Sequence, residues 1–258
     1  MMLITNEQLK LYNAYLGQGP VHKASILFFG NESGLASITP EKSINWLENI
    51  VKQKHYTLVG ETWEEGFFTK SFRDKPIVNS TYVRYLGRFI LALTTNDDRW
   101  LGTLSEKGKI AINNYLLNEL HENISCYINL RPLPRPTESH WIYENINQNS
   151  YLNSYNFNKV SGIPEFTKPR IKNILRGLYA AKNKPLIIAT GDKYNKKSLF
   201  EKILPCHNFE EIILKNGKKI FIDFKQKIIL CDYFDNRVIG IDSVKEIYYI
   251  VKENNLFS

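Results

Sequence analysis

Cysteine is scarce in this chain: Cys126, Cys206 and Cys231 are the only three. They are too few and too scattered for a disulfide framework, a four-cysteine metal centre or an iron–sulfur cluster. Neither a metal nor a cofactor is therefore expected, and the thiols suit a reduced, cytoplasmic setting. No apolar run approaches the roughly 20 residues needed to cross a bilayer, so no membrane partner is expected. Met1 to Lys10 lacks the charged-then-apolar order of a secretory signal. Internal repeats, low-complexity tracts and a P-loop are also missing, which removes solenoids and the common phosphate-loop enzymes.

The 258 residues do contain 43% hydrophobic side chains, enough for a substantial core, and we read residues 1–258 as a single domain and a monomer. Net charge is +8, and the excess is local: ten Lys or Arg fall between Lys168 and Lys202, opposed only by Asp192 and Glu201. Interleaved with Tyr179, Tyr194 and Phe200, this stretch suits either a phosphate backbone or a solvated helix face, and the balance leans to DNA as partner.

Four short apolar runs organise the chain. Ala24 to Phe29 is closed by a Gly30-x-x-x-Gly34 loop that presents Asn31 and Glu32. Ile124 to Leu130 carries Asn129 within an otherwise apolar strand and runs into Arg131-Pro132-Leu133-Pro134-Arg135-Pro136, whose prolines hold the next loop extended. Pro185 to Thr190 turns through Gly191-Asp192 into Lys193, Lys196 and Lys197. Lys227 to Cys231 ends in Asp232 to Arg237. Each run has the composition of a strand buried on both faces, and helical spacing fills the gaps between them. The expected architecture is α/β, three layers around a central four-stranded parallel sheet, with a β-hairpin insertion at Glu210 to Asp223 turning on Asn216-Gly217. The polar clusters at 30–34, 129–140, 190–197 and 232–237 should then meet at one sheet edge. Helices are expected over 3–16, 40–54, 82–93, 109–120, 169–181 and 243–252. An aromatic loop spans 56–76, and 142–167 reads as a long surface excursion.

Taken in order, these motifs resemble the uracil-DNA glycosylase superfamily from about residue 24 onward. Gly30-Asn31-Glu32-Ser33-Gly34-Leu35 is similar to the family's Gly-Gln-Asp-Pro-Tyr or Gly-Ile-Asn-Pro-Gly-Leu motif. Asn129 and the loop reaching Ser139-His140 resemble its Leu-Asn strand and Ser-His continuation. Thr190-Gly191 with Tyr194-Asn195-Lys196-Lys197 resembles Trp-Gly-x-x-Ala-Gln-Lys-Lys.

The resemblance implies a monofunctional DNA glycosylase that flips a pyrimidine from DNA and hydrolyses its N-glycosidic bond. Glu32 would orient water and stabilise the sugar cation, with Asn31 assisting; Asn129 would bond the everted base between Gly30, Gly34 and Phe67 or Phe68. Asn236 or Arg237 would replace the histidine that the last motif lacks. Arg131, Arg135, Ser139, His140, Lys193, Lys196, Lys197 and Arg237 would hold the DNA, and Phe234 or Tyr233 would fill the vacated stack. Gly34 stands where uracil-specific enzymes place a tyrosine that blocks 5-substituents. A 5-substituted or bulky base, such as glucosylated hydroxymethylcytosine of phage DNA, is therefore expected alongside uracil, in an antiviral role. A catalytically silent DNA-binding member of the fold, or another nucleotide-binding α/β enzyme, would use the same strand ends.

Overall fold

The computed structural model describes residues 2–19, 24–31, 80–119, 124–135, 140–180 and 184–257. Glu32, Gly34, Phe67, Phe68 and Ser139 lie outside these residues, as do the helix expected over 40–54 and the aromatic loop.

One mixed sheet runs through the molecule. Its strands are β1 (Gly17–Gln18), β2 (Ile26–Gly30), β3 (Ser125–Asn129), β4 (Leu186–Thr190), β5 (Glu210–Ile213), β6 (Lys219–Asp223) and β7 (Ile228–Cys231), in the order β1-β3-β2-β4-β7-β6-β5. The pairs β3–β2, β2–β4 and β4–β7 are parallel. Antiparallel strands extend both sides, β1 on β3 and the β5–β6 hairpin on β7. The sheet is thus mixed and wider than the four strands expected. The hairpin is an extension of the sheet, because Phe221, Ile222 and Asp223 pair with Leu230, Ile229 and Ile228.

Alternation along the strands separates two cores. Ile26, Phe28, Leu186, Ile188 and Ile229 pack beneath α2 (Thr81–Thr95), α3 (Glu106–Asn118) and α7 (Ile241–Glu253). Leu27, Phe29, Cys126, Ile128, Ile187 and Leu230 face α1 (Asn6–Ala14), α4 (Gln148–Ser154), α5 (Lys168–Ala180) and α6 (Lys193–Ile203). Every residue of β2, β3, β4 and β7 is buried, which accounts for their mostly apolar spelling, with Ser125, Asn129 and Thr190 as the polar exceptions at strand ends. Each Phe or Ile so enclosed contributes about 1.5–3 kcal/mol. Local signals agree with the boundaries: Thr5 and Gln8 form a reciprocal capping box on α1, and Ser80, Ser105 and Asn147 cap α2, α3 and α4.

The 142–167 segment is not a surface excursion. Tyr143, Tyr151, Tyr155 and Phe157 are at most 2% exposed, and the Trp141 ring lies 5.2 Å from both Tyr143 and Tyr151. Tyrosine made the stretch look polar, yet a phenol buries its ring once the hydroxyl finds a partner. Here the Tyr143 hydroxyl donates to Pro134 O at 2.7 Å, and the Tyr151 hydroxyl accepts from Leu133 N at 3.2 Å. These bonds hold the proline loop that follows β3.

Arg170, in the first turn of α5, is 1% exposed. Its guanidinium donates to Tyr12 O, Asn13 O, Tyr15 O and Leu16 O after α1, and to Asn129 O and Leu130 O at the end of β3. The residue is a structural hub. It belongs to the basic stretch read as a DNA grip, and its charge is spent inside the fold.

Candidate functional site

The carboxyl ends of the four parallel strands open on a common cleft of about 520 Å³. Asn31 enters it directly after β2, Arg131 and Arg135 after β3, Asp192 and Asn195 after β4, and Tyr233 after β7; Leu152, Asn153 and Asn156 close it from α4 and its exit. In chain order the parallel strands lie 2-1-3-4, so the order reverses between β2 and β4. That reversal is where α/β sheets place ligands, and Asn31 and Asp192 stand at it.

Backbone bonds fix the two nearest loops to one another. Leu130 N donates to Gly30 O at 3.0 Å and Arg131 N to Asn31 O at 2.6 Å. Gly30 is paired with Asn129, and a Cβ at Gly30 would lie 3.2 Å from Asn129 Oδ1 and 1.9 Å from the Tyr127 hydroxyl. Only glycine leaves room there. Gly191 serves the neighbouring turn in the same way: its φ is +72°, and a Cβ would meet the Tyr233 ring at 2.4 Å. Asp192 follows with φ 33°, in the left-handed region that is costly for a side chain and that concentrates at ligand sites. Gly191→Ala is expected to lower stability by about 1–3 kcal/mol and to displace Tyr233 from the cleft. Chemical denaturation checks the stability loss, and the NMR ring resonances of Tyr233 check the displacement.

Lys196 sits beneath this turn with no exposed surface. Its Nζ donates to Asn31 Oδ1 at 2.5 Å, Thr190 O at 2.5 Å and Gly191 O at 2.8 Å, and lies 5.8 Å from the Phe29 ring centroid. Burial pulls its pKa down to about 7; Asp192 opposes that shift and Arg131 adds to it. On the opposite face of the strand ends, the Tyr82 hydroxyl shares a 2.8 Å hydrogen bond with Thr190 Oγ1. The rings of Tyr127 and Tyr233 stand edge-on to Tyr82 at 6.2 and 5.9 Å. Burial drives the Tyr82 phenol well up and the Tyr127 phenol up to about 12, so both remain protonated donors at neutral pH.

The residues singled out from sequence separate into two groups. Asn31, Arg131 and Arg135 line the cleft. Gly30 and Asn129 are paired at the adjoining strand ends outside that lining, and alternation sends the Asn129 side chain to the face opposite Asn31, beside Tyr127. The others need correction. Lys196 cannot touch DNA, being enclosed. Lys193 is paired with Asp232 at 2.7 Å with 8% of its side chain exposed. Lys197 pairs with Glu201 at 2.7 Å and lies over Phe221, which turns it toward the hairpin.

Phe234 cannot be a wedge: it is fully buried, 5.8 Å from Phe89 in the core under α2. Asn236 is exposed and accepts a bond from the Tyr85 hydroxyl of α2, outside the lining of the cleft. Arg237 is 89% exposed beside Asp235 at 3.2 Å, and His140 is exposed too. Lys184 precedes β4 and donates to Lys225 O before β7, so it lies at the opposite end of the strands from the cleft.

Asp192, Asn153 and Asn156 are lining residues that the motif comparison did not single out. The Gly-Asp pair directly after an apolar strand was a usable signal for the first; nothing in the tyrosine-rich stretch marks the other two. Among the described residues no helix is long and apolar enough to cross a membrane, and no group of three His, Cys, Asp or Glu is placed to hold a metal. No protein-family model, curated protein or solved structure matches this chain.

Proposed function

We propose that the chain is a DNA glycosylase with a three-layer, uracil-DNA glycosylase-like fold, which everts a pyrimidine into the strand-end cleft and hydrolyses its N-glycosidic bond. The observation that supports this most is the convergence of Asn31, Arg131 and Asp192 on one polar cleft at the reversal of strand order. The bond breaks with positive charge on the sugar and negative charge on the departing base, so the site must offer a carboxylate to one and donors to the other. Asp192 is a carboxylate within the cleft, and Glu32 follows Asn31 directly in sequence. Asn31 supplies an amide group for the base and Arg131 positive charge for a flanking phosphate, while Arg135, 3% exposed, adds its charge from the cleft wall.

DNA is the proposed partner and a pyrimidine the substrate, with a bulky 5-substituted base of phage DNA favoured by glycine at position 34. The action would be cytoplasmic defence or repair. Incubation with uracil-containing, hydroxymethylated and glucosylated duplexes, followed by alkali, should reveal strand breaks at the excised base. Asn31→Ala should slow excision by about 10²–10³, the usual loss for one donor to a developing anion. Absence of abasic sites in every DNA, with folded protein, removes the proposal. A catalytically silent binder would still show salt-sensitive DNA affinity under those conditions.

A further inference from the structure

An ammonium group has three donors and no acceptor. All three donors of Lys196 are taken, by Thr190 O, Gly191 O and Asn31 Oδ1. The atom that Asn31 turns toward the lysine must therefore be oxygen, since an NH₂ in that position would set donor against donor. Nδ2 is left on the other limb of the carboxamide, bonded to none of the described residues, in a side chain that lines the cleft. The adjoining guanidinium groups of Arg131 and Arg135 are also donors only. Asn195 offers the cleft little, because Oδ1 accepts from Phe157 N at 2.6 Å and Nδ2 donates to Tyr155 O at 2.9 Å.

We propose that Lys196 is a positioning residue which locks the Asn31 amide hydrogens toward the cleft, so that the site selects a ligand presenting a carbonyl oxygen there. The orientation stands on the hydrogen bonds alone. The identity of the ligand, the 2-carbonyl shared by uracil and cytosine, rests on the glycosylase reading above.

The lock depends on protonation. The titratable and charged groups facing Lys196 are Asp192 before α6, Arg131 after β3 and Cys231 at the end of β7, and burial outweighs them in bringing the ammonium near neutrality. Once deprotonated, the amine gains a lone pair. Asn31 can then turn its NH₂ inward and show oxygen to the cleft, where a carbonyl ligand is repelled. Carbonyl ligands are therefore favoured on the acid side of the transition and disfavoured on the alkaline side.

The test uses the full chain labelled with ¹⁵N and ¹³C, with uracil, cytosine and inorganic phosphate as separate probes. The expected results are a Lys196 Cε titration near neutral pH, an Asn31 side-chain amide resonance that moves with it, and binding of uracil and cytosine that shifts the same resonance. Affinity should fall at least about tenfold between the protonated and neutral forms, the worth of one lost hydrogen bond. Asn31→Asp keeps the contact with Lys196 but removes the donor; it should raise the Lys196 titration and abolish nucleobase binding. Lys196→Met should remove the pH dependence, and if it fails to fold, the titration and Asn31→Asp still decide.

An Asn31 amide that ignores the Lys196 titration overturns the lock. Response to phosphate but to neither base overturns the carbonyl assignment. Excision without any Asn31 response would uphold the glycosylase and overturn this inference, whereas an Asn31 response to the bases without excision would do the reverse.

Discussion

Arg170→Met is expected to destabilise the fold by more than about 4 kcal/mol, a size that breaking a buried polar network can reach. The substitution preserves much of the volume but removes the guanidinium donors to Tyr12 O, Asn13 O, Tyr15 O, Leu16 O, Asn129 O and Leu130 O, of which Leu16 O keeps Asn129 N and Asn13 O keeps Asn173 Nδ2. A carbonyl stripped of its partner in the interior costs about 1–3 kcal/mol, and some of these six will regain water through local opening around α1. Arg170→Lys should recover part of the loss, because three donors on a compact head cannot span carbonyls from two separate segments. Urea unfolding checks this: the midpoint should drop sharply with the slope unchanged. A variant within about 1 kcal/mol of the native chain would show that the hub is redundant.

Lys196→Met should abolish a pH dependence of stability that the native chain shows between about pH 7 and about pH 9.5. The sign follows from proton binding. In the unfolded chain this lysine titrates at the ordinary 10.5, and in the folded chain burial lowers it to about 7. Between those values the unfolded state holds the extra proton, so stability rises with pH. The penalty for enclosing the ammonium is fully present below about pH 7 and is gone above about pH 10.5. Across the proposed interval the rise is on the order of 3 kcal/mol. Measurement should stop short of pH 10, because Tyr82 and Tyr127, whose pKa values are raised by burial, then pull stability the other way. Parallel curves for the two proteins over the interval would show that the amine is uncharged throughout or reaches water.

The strands of the parallel region were readable because burial on both faces leaves an apolar spelling with no other use. The hairpin was readable because Asn216-Gly217 supports the left-handed turn; Gly217 has φ +79°. Convergence of the strand-end loops followed from the alternation of strands and helices alone.

What sequence could not convey was which charges lie inside. Arg170 and Lys196 are spelled like their exposed neighbours in a basic run, and only the carbonyls that gather around them, contributed by distant segments, make their burial tolerable. Phe234 misled in the opposite direction. It stands in a loop motif, yet its neighbour in space is Phe89 from α2, 145 positions earlier in the chain. The strand β1 was hidden because two residues, Gly17 and Gln18, carry no periodicity, and Gly17-Gln18-Gly19-Pro20 reads simply as the end of a helix.

That two-residue strand has a practical corollary. Gly17 and Gln18 are zipped to Ile128 and Tyr127, and Asn129 N donates to Leu16 O at 3.0 Å. Trimming the chain past position 18, or fusing a bulky partner there in place of the native residues, would strip the outer flank from the strand that carries Asn129. Damage meant for a peripheral segment would surface as a change in the cleft.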